Sequence, residues 1–400
     1  MKLLLLTQYF PPETGASATR NASMARFLKK EGWDIEVVCE QPNYPMGELL
    51  PGYQNRFHQT EEFEGIPVQR LWVWLTRKKD TTSQLLFFLS FMFSSAWYLL
   101  RNPKRYDIVY VSSPPMFPAL SGWLAARLFG SKLVLEIRDI WPDAAVDIGK
   151  FEEKSWLFYW GEKLERWLYR QVDLIVPVTD HSERIIQQRC GSTPTKVVYN
   201  GIDPDHFINH KKSRSASGFT VGYVGSLGVI HDLETLVRAA KYCESDPEIQ
   251  FVVVGDGGKR EEFKRLLETY QPTNLCWEGL IPHDQVPRKI ATFDIALNPV
   301  FPSRSFESII TVKFYEYLAS STPVISTAKG LMEVVGNRSK ACITVKPQDP
   351  KAIQEQIMYL KNNPDLLDQM GRDGREFVIR NFSRKKMASL LSGTLKQLIR

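Results

Sequence analysis

The chain shows one pattern twice: short runs of apolar and β-branched residues separated by longer stretches with helical periodicity. The first series of runs lies at 3–7, 35–39, 68–74, 108–111, 132–137, 174–178 and 196–199. The second lies at 219–224, 251–254, 275–277, 295–297, 323–326 and 341–345. Apolar strands that alternate with helices are typical of parallel sheets covered on both faces. The pattern predicts an α/β protein with two doubly wound domains, for which 400 residues are sufficient.

A polar stretch between the two series marks the domain boundary. We expect an N-terminal domain over 1–205, a linker over 206–218 and a C-terminal domain over 219–380. The last residues, 381–400, are expected to form a helix, and whether it crosses back to the N-terminal domain stays open.

Composition excludes several classes of protein. Hydrophobic residues make up 43% and charged residues 24%, which fits neither a disordered chain nor a multi-span membrane protein. Five scattered cysteines without a CxxC pair indicate a reducing compartment, and the N-terminal apolar run is too short for a secretory signal. The six histidines lack metal-site spacing, and we interpret Asp203 and Asp205 as turn residues, so no metal is expected.

The net charge of +6 is concentrated in two segments. Residues 77–105 carry +5 and residues 372–400 carry +6, which leaves −5 for the rest of the chain. The first segment encloses the apolar run 85–100, which is shorter than the ~20 residues needed to span a bilayer. This run is expected to be a buried helix, an interfacial helix at an anionic membrane, or both, and no nucleic-acid partner is expected. Residues 372–400 are expected to form an amphipathic helix, and whether they extend the membrane surface around 77–105 stays open.

Seven motifs along the chain, taken together, resemble the family-4 glycosyltransferases of the GT-B fold, especially the bacterial surface-polysaccharide branch. The motifs are YFPPETG at 9–15 with Arg20, QPNYPMG at 41–47, RDIWPD at 138–143, YNGID at 199–203, VGSLG at 224–228, VGDG at 254–257 and KFYEYLA at 313–319. They occur in the family's order over most of the chain.

The resemblance implies two Rossmann-like domains facing a cleft, with a nucleotide-sugar bound mainly by the C-terminal domain and the acceptor mainly by the N-terminal one. It implies sugar transfer with retention and no cofactor beyond the donor. A UDP-sugar is the preferred donor, for example an N-acetylated hexosamine or a deoxyhexosamine. The expected acceptor is a lipid-linked saccharide for O-antigen, capsule or exopolysaccharide, at the inner face of the cytoplasmic membrane. The alternative is a sugar-nucleotide 2-epimerase of the same architecture, which needs no membrane-facing segment.

Lys313 and Glu316 are the first candidates for donor binding. They lie three residues apart in a predicted short helix, so both can point to one side. The resemblance implies that Glu316 binds the ribose hydroxyls and that Lys313 faces the diphosphate, whereas the alternative is an ordinary surface pair. Further donor candidates are Gly15, Gly225, Ser226, Leu280 and Arg304.

Two positions depart from the family pattern. Glu307 is one residue away from the spacing of the usual first glutamate, so it either replaces that catalytic residue or only lies near it. Ser226 follows Gly225 where the family often has Arg.

In the N-terminal domain, Asp139 follows a predicted strand and is the second catalytic candidate. A carboxylate there can accept the proton of an acceptor hydroxyl, although Asp also caps turns. Arg138, in place of the family's usual His, and Arg20 are the candidates for lining the acceptor side.

Overall fold

A computed structural model describes residues 1–13, 15–44, 46–78, 80–143, 146, 152, 155–207, 218–303 and 306–400. It divides the chain into two compact units, Met1–Asn200 with Arg384–Arg400, and Gly201–Ser383. The first unit ends before the predicted boundary at 205 because Ile202 forms a parallel bridge with Ser383, and its N–H donates to the Phe382 carbonyl at 2.8 Å. Most of the predicted linker lies outside the described residues.

The first unit contains a seven-stranded sheet. Its strands are β1 (Lys2–Thr7), β2 (Asp34–Glu40), β3 (His58–Phe63), β4 (Ile66–Leu71), β5 (Ile108–Ser113), β6 (Lys132–Ile137) and β7 (Leu174–Pro177), in the order β3-β4-β2-β1-β5-β6-β7. The helices are α1 (Ala16–Lys30), α2 (Thr81–Arg101), α3 (Pro118–Phe129), α4 (Trp156–Tyr169) and α5 (Asp180–Cys190). All strand pairs are parallel except β3–β4.

The second unit contains a six-stranded parallel sheet in the order β10-β9-β8-β11-β12-β13. Its strands are β8 (Phe219–Val224), β9 (Ile249–Val254), β10 (Leu275–Gly279), β11 (Ile295–Asn298), β12 (Val324–Ser326) and β13 (Cys342–Thr344). The helices are α6 (Leu233–Tyr242), α7 (Arg260–Tyr270), α8 (Val286–Ile290), α9 (Val312–Ala319), α10 (Leu331–Ser339), α11 (Pro350–Lys361) and α12 (Pro364–Phe382), and a last helix, α13 (Arg384–Leu398), belongs to the first unit. Both sheets reverse their strand order beside their first strand, so the carboxyl ends of β1 and β8 are the places where ligands are expected.

The first sheet is covered on both faces, as its unbroken apolar strands predict. Leu4 and Leu6 of β1 pack with α2, α3 and α4 on one face, which we call the α2 face. Leu3 and Leu5 pack with α1 and α13 on the opposite α1 face.

One predicted strand is wrong. Residues 196–199 run beside β7, with the N–H of Lys196 donating to Ile175 O at 3.0 Å and that of Val198 to Pro177 O at 2.9 Å. Pro177 has no N–H to donate in return, so no regular ladder forms. The antiparallel β3 was not predicted, because its sequence is mostly polar.

The basic C-terminal segment 372–400 also differs from expectation. It is not one helix, because α12 ends at Phe382 in the second unit and α13 starts at Arg384 in the first. The apolar side of α13 is buried on the α1 face through Met387, Leu391 and Leu395. Because α2 covers the opposite face, a flat bilayer against α2 does not also reach α13. The structure therefore corrects the expectation that 372–400 extends a membrane surface around 77–105.

Candidate active site

Two loops at the carboxyl edge of the second sheet pack backbone against backbone. The loop after β8 and the loop after β9 are joined by N–H bonds from Gly225 to Val254 O at 2.9 Å and from Leu227 to Asp256 O at 3.1 Å. Gly255 has φ +134°, and a Cβ there would lie 1.9 Å from Gly225 O. Only glycine fits this position, so the backbone of both loops stays close to the sheet edge, where a phosphate group can be approached.

The Lys313 side chain reaches this edge from α9. Its Nζ donates to the Tyr223 hydroxyl at 2.6 Å, lies 3.1 Å from His231 Nε2, and sits 3.9 Å from the centroid of the Tyr223 ring. A Cβ on Gly225, which has φ +142°, would be 2.7 Å from the same Nζ. The structure thus brings together two residues predicted for the donor site, Gly225 and Lys313.

The charge on this lysine is destabilised by its surroundings. Burial lowers the pKa of Lys313 to about 7, while the negative charge of Glu316 acts in the opposite direction. Burial, and then the charge of Lys313, lower the pKa of His231 to about 2. His231 is therefore neutral, and its Nδ1 hydrogen is directed to the Pro299 carbonyl at 3.3 Å. Tyr223 and His231 are neutral and stabilise the ammonium less than an anion would. A bound diphosphate would supply that missing negative charge and would therefore interact favourably with Lys313.

The structure places the other donor residues predicted in the second unit, except one that lies outside the described part. Glu316 is partly buried on α9, and Ser226 and Leu280 are exposed on the loops after β8 and β10. Glu307 is exposed in a short turn, and a Cβ on Gly330 would be 2.4 Å from its carbonyl oxygen. It lines a shallow depression with Val300, Phe301, Pro302, Ser303, Phe306 and Lys329. Arg304 lies outside the described residues.

In the first unit, Arg138 and Asp139 follow β6. The Arg138 guanidinium donates to Ser113 O at 3.2 Å and Pro114 O at 3.0 Å, which ties the chain after β6 to the end of β5. Asp139 is accessible to solvent, yet the protein around it desolvates the carboxyl group and raises its pKa, against the charge of Arg138. A carboxyl group with a raised pKa at a strand end is suited to proton transfer.

Gly15, predicted for the donor, caps the start of α1 with φ +127°, and a Cβ there would lie 3.3 Å from the Tyr44 ring. Its position in the first unit is at the carboxyl end of β1.

Arg20 does not line an open surface, which corrects the prediction. Only 1% of it is exposed, and it forms a buried ion pair with Glu136 at 2.8 Å. It also donates to the carbonyls of Tyr199 at 2.7 Å and Val198 at 3.0 Å. Burial alone would raise the pKa of Glu136, but the charge and hydrogen bonds of Arg20, together with the charge of Arg138 and the hydrogen bond from Tyr110, hold it below the ordinary value. Arg20 is therefore a structural residue that neutralises a carboxylate inside the sheet.

Glu13 is a residue that the sequence reasoning missed. It is 4% exposed, and its Oε1 accepts the backbone N–H groups of Asn43 and Tyr44, both at 2.9 Å, while Oε2 accepts that of Phe10 at 3.2 Å. One carboxylate thus ties the loop after β1 to the loop after β2. An acidic residue between a strand and a helix is a detectable signal, but its partners are not adjacent in sequence.

Unpartnered polar groups surround this carboxylate. Among the described residues, both amide atoms of Gln8, Oε2 of Glu40 and Oε1 of Gln41 are buried without a hydrogen bond. Burial, and then the charge of Glu13, raise the pKa of Glu40, against the hydrogen bond that the Asn43 amide donates to its Oε1 at 2.8 Å. Buried polar groups are nearly always satisfied, so this cluster at the end of β1 and β2 is the second candidate region for ligand contact.

In the described part of the chain, no group of three or more His, Cys, Asp or Glu is arranged to hold a metal ion.

Comparison with known proteins agrees with this arrangement. Residues 15–201 match the family described as "Glycosyl transferase 4-like domain", and residues 205–377 match "Glycosyl transferases group 1". The putative colanic acid biosynthesis glycosyl transferase WcaI of Escherichia coli is 22% identical, over 96% of this chain and 98% of its own.

Two solved structures share the fold. Sucrose-phosphate synthase from Thermosynechococcus elongatus has a TM-score of 0.76 at 18% identity, covering 99% of this chain and 98% of its own. Anabaena Alr3699/HepE in complex with UDP has a TM-score of 0.71 at 16% identity, covering 99% of this chain and 100% of its own. The family matches decide against the 2-epimerase alternative. The chain belongs to the family-4, group 1 glycosyltransferases of the GT-B fold, and its relatives include bacterial surface-polysaccharide enzymes.

Proposed function

We propose that this glycosyltransferase moves a sugar from a UDP-sugar to a lipid-linked saccharide during synthesis of a bacterial surface polysaccharide. The observation that carries the proposal is the buried Lys313 amine, held against Gly225 at the carboxyl edge of the second sheet. An amine that contacts the neutral Tyr223 and His231 side chains at this edge suits the diphosphate that leaves when the sugar is transferred.

The assigned roles follow from the side chains. Lys313 and the backbone near Gly225 and Ser226 hold the diphosphate, and Glu316 accepts hydrogen bonds from the ribose hydroxyls. Asp139 orients the acceptor hydroxyl and takes up its proton, and Glu307 contacts the donor sugar. The transfer proceeds with retention, and the nucleotide-sugar is a substrate, so no further cofactor is assigned.

Two relatives support the choice of donor and pathway. Alr3699/HepE has a structure in complex with UDP, and WcaI is described as a putative colanic acid biosynthesis glycosyl transferase. We infer the same nucleotide for this chain, with an N-acetylated hexosamine or a deoxyhexosamine as the sugar and an O-antigen, capsule or exopolysaccharide as the product.

We also propose peripheral attachment to the inner face of the cytoplasmic membrane through 77–105. By length and composition α2 could cross a membrane, but one side of it is buried against the first sheet. Arg77 is paired with Glu48 and Lys104 with Glu36, and Lys79 lies outside the described residues. Lys78, Arg101 and Arg105 are therefore the cations that we assign to anionic lipid.

The direct test is thermal unfolding with UDP, GDP and their sugars. A nucleotide at 100 times its dissociation constant adds about 2.7 kcal/mol of stability. UDP is expected to raise the melting temperature of the wild type and of Lys351→Ala, whose residue is exposed on α11, but not of Lys313→Ala. Failure of every nucleotide to stabilise the wild type, or an unchanged response in Lys313→Ala, would refute the donor-site assignment.

A further inference from the structure

Helix α4 presents large aromatic side chains to solvent. Trp156 is 71% exposed, Tyr159 52% and Trp160 58%. They recur at helical spacing with Trp167, so they form one stripe, while Glu165 and Leu168 on the other side of the helix are buried. One side of α4 is therefore packed inside the first unit, whereas the side that faces solvent carries aromatic residues.

Exposed apolar side chains also occur on the other helices of the α2 face. On α2, Leu86, Phe93, Trp97 and Leu100 are exposed at helical spacing, opposite the side buried against the sheet. Trp123 of α3 bridges toward α4 by an edge contact with Trp167, with centroids 5.1 Å apart. These helices all cover the α2 face of the first sheet, and we call their exposed apolar side chains together the aromatic face. Its exposed members are Leu86, Phe93, Trp97, Leu100, Leu128, Trp156, Tyr159, Trp160 and Trp167.

The chemistry of the aromatic face fits a lipid headgroup region. Lys163 Nζ lies 4.4 Å from the Tyr159 centroid and 5.2 Å from that of Trp160, and the Arg101 guanidinium lies 4.4 Å from the Trp97 centroid. Trp and Tyr are enriched where membrane meets water, and long cationic side chains beside them reach the phosphates. Lys78, Arg101 and Arg105, the cations already assigned to lipid, add positive charge that is complementary to anionic headgroups.

We propose that the aromatic face, with α4 as its main anchor, lies in the headgroup region of an anionic bilayer. The inference rests on the proposed membrane-linked function and extends the contact from 77–105 to a second, separate helix. It also relates the membrane to the site: a Cβ on Gly161 of α4 would lie 2.8 Å from the Trp141 ring, two residues after Asp139. Two residues span at most about 7 Å, so docking by α4 keeps the Asp139 loop near the lipid that carries the acceptor.

Flotation of the full-length protein with phosphatidylcholine vesicles, with and without phosphatidylglycerol, tests this. Tyr159→Ser is compared with Tyr359→Ser, a matched control that is 48% exposed on α11 of the second unit. Each of Tyr159→Ser and Trp160→Ser is expected to lower partitioning into anionic vesicles by about tenfold. The reason is that the variant lacks a large aromatic side chain to transfer from water into the headgroup region. Tyr359→Ser is expected to bind like the wild type.

Three results would overturn the proposal: a wild type that ignores anionic vesicles, equal binding by Tyr159→Ser and Tyr359→Ser, or dimerisation in solution that Tyr159→Ser abolishes. The last would assign the aromatic face to a second copy of the chain. Melting temperatures confirm that each variant is folded. The UDP-induced thermal shift is measured in parallel, since its loss refutes the proposed function, whereas a vesicle failure with an intact shift refutes only the membrane inference.

Discussion

The Lys313 amine makes donor binding depend on pH. Its pKa is lowered to about 7 by burial, against an ordinary value of 10.5. Between these two values the unfolded chain holds more protons, so this group makes folding stability rise with pH over that window. A bound diphosphate favours the ammonium form. We therefore expect UDP to bind with uptake of roughly one proton at about pH 8, and to bind more weakly as pH rises further. Calorimetry in buffers of different ionisation enthalpy measures the uptake.

Lys313→Arg is the control for this prediction. Arginine stays protonated at every accessible pH, so the variant is expected to bind UDP without taking up a proton. Equal proton uptake by the wild type and by Lys313→Arg would show that another group titrates.

Glu13 is expected to support the two loops that it joins. In the wild type, both carboxylate oxygens of Glu13 accept backbone N–H groups. In Glu13→Gln an NH2 group replaces one of these oxygens, so at least one buried backbone N–H loses its acceptor. A loss of about 1–3 kcal/mol in the free energy of unfolding follows. Urea denaturation measures it, and hydrogen exchange should increase around Asn43 and Tyr44. Glu62→Gln, at an exposed position on β3, should change neither, and an equal loss in both variants would contradict the assigned role.

Residue-level reasoning from the sequence found part of the site. The spacing of Lys313 and Glu316 was visible, and the resemblance supplied their roles. The partners of Lys313 were not predictable, because Tyr223 is 90 residues away in the chain and His231 is 82 residues away. Arg20 was misassigned because sequence does not show that Glu136 is buried beside it.

At the scale of elements, the packing of α4 on Trp141 depends on Gly161. A Cβ there would lie 2.8 Å from two ring atoms of Trp141 and 3.4 Å from Pro142. We expect Gly161→Ala to destabilise the first unit despite the better helix propensity of alanine, because the helix must shift away from the ring. Thermal unfolding, with hydrogen exchange near Trp141, measures the effect.

The matched control is Gly393→Ala on α13, where nothing lies within 4 Å of the new Cβ. This variant is expected to be more stable by about 0.4–1 kcal/mol, since alanine lowers the entropy of the unfolded chain. Stabilisation by both substitutions would show that α4 is not held against Trp141.

Most strands were predictable because buried parallel strands consist of apolar runs. The errors have physical causes: β3 is a polar edge strand, and 196–199 adjoins a proline that interrupts the ladder. The aromatic face was predicted only for its α2 part. An aromatic run such as 156–160 is compatible with a core, and only the packing of α4 shows which side is exposed.

At the scale of the whole molecule, the order of residues along the chain does not match their division into two compact units. The first unit includes 384–400, although this segment follows the second unit in sequence. Leu391 on α13 is fully buried in the core of the α1 face, and the Trp33 indole donates to Ser392 at 3.0 Å. The two family matches end at residue 377, so they do not show that 384–400 packs in the first unit. Only the structure shows this packing.

The return of α13 predicts where a C-terminal mutation acts. Leu391→Ala removes a buried side chain and should cost about 2–5 kcal/mol in the first unit, with faster hydrogen exchange in 1–200. The second unit, 201–383, should keep its exchange rates and its UDP-induced stabilisation, although it is nearer in sequence. Leu390→Ala, whose residue is 37% exposed on the same helix, should have little effect on either. Faster exchange confined to 201–383 in Leu391→Ala would mean that the helix stabilises the unit it follows instead of the unit in which it packs.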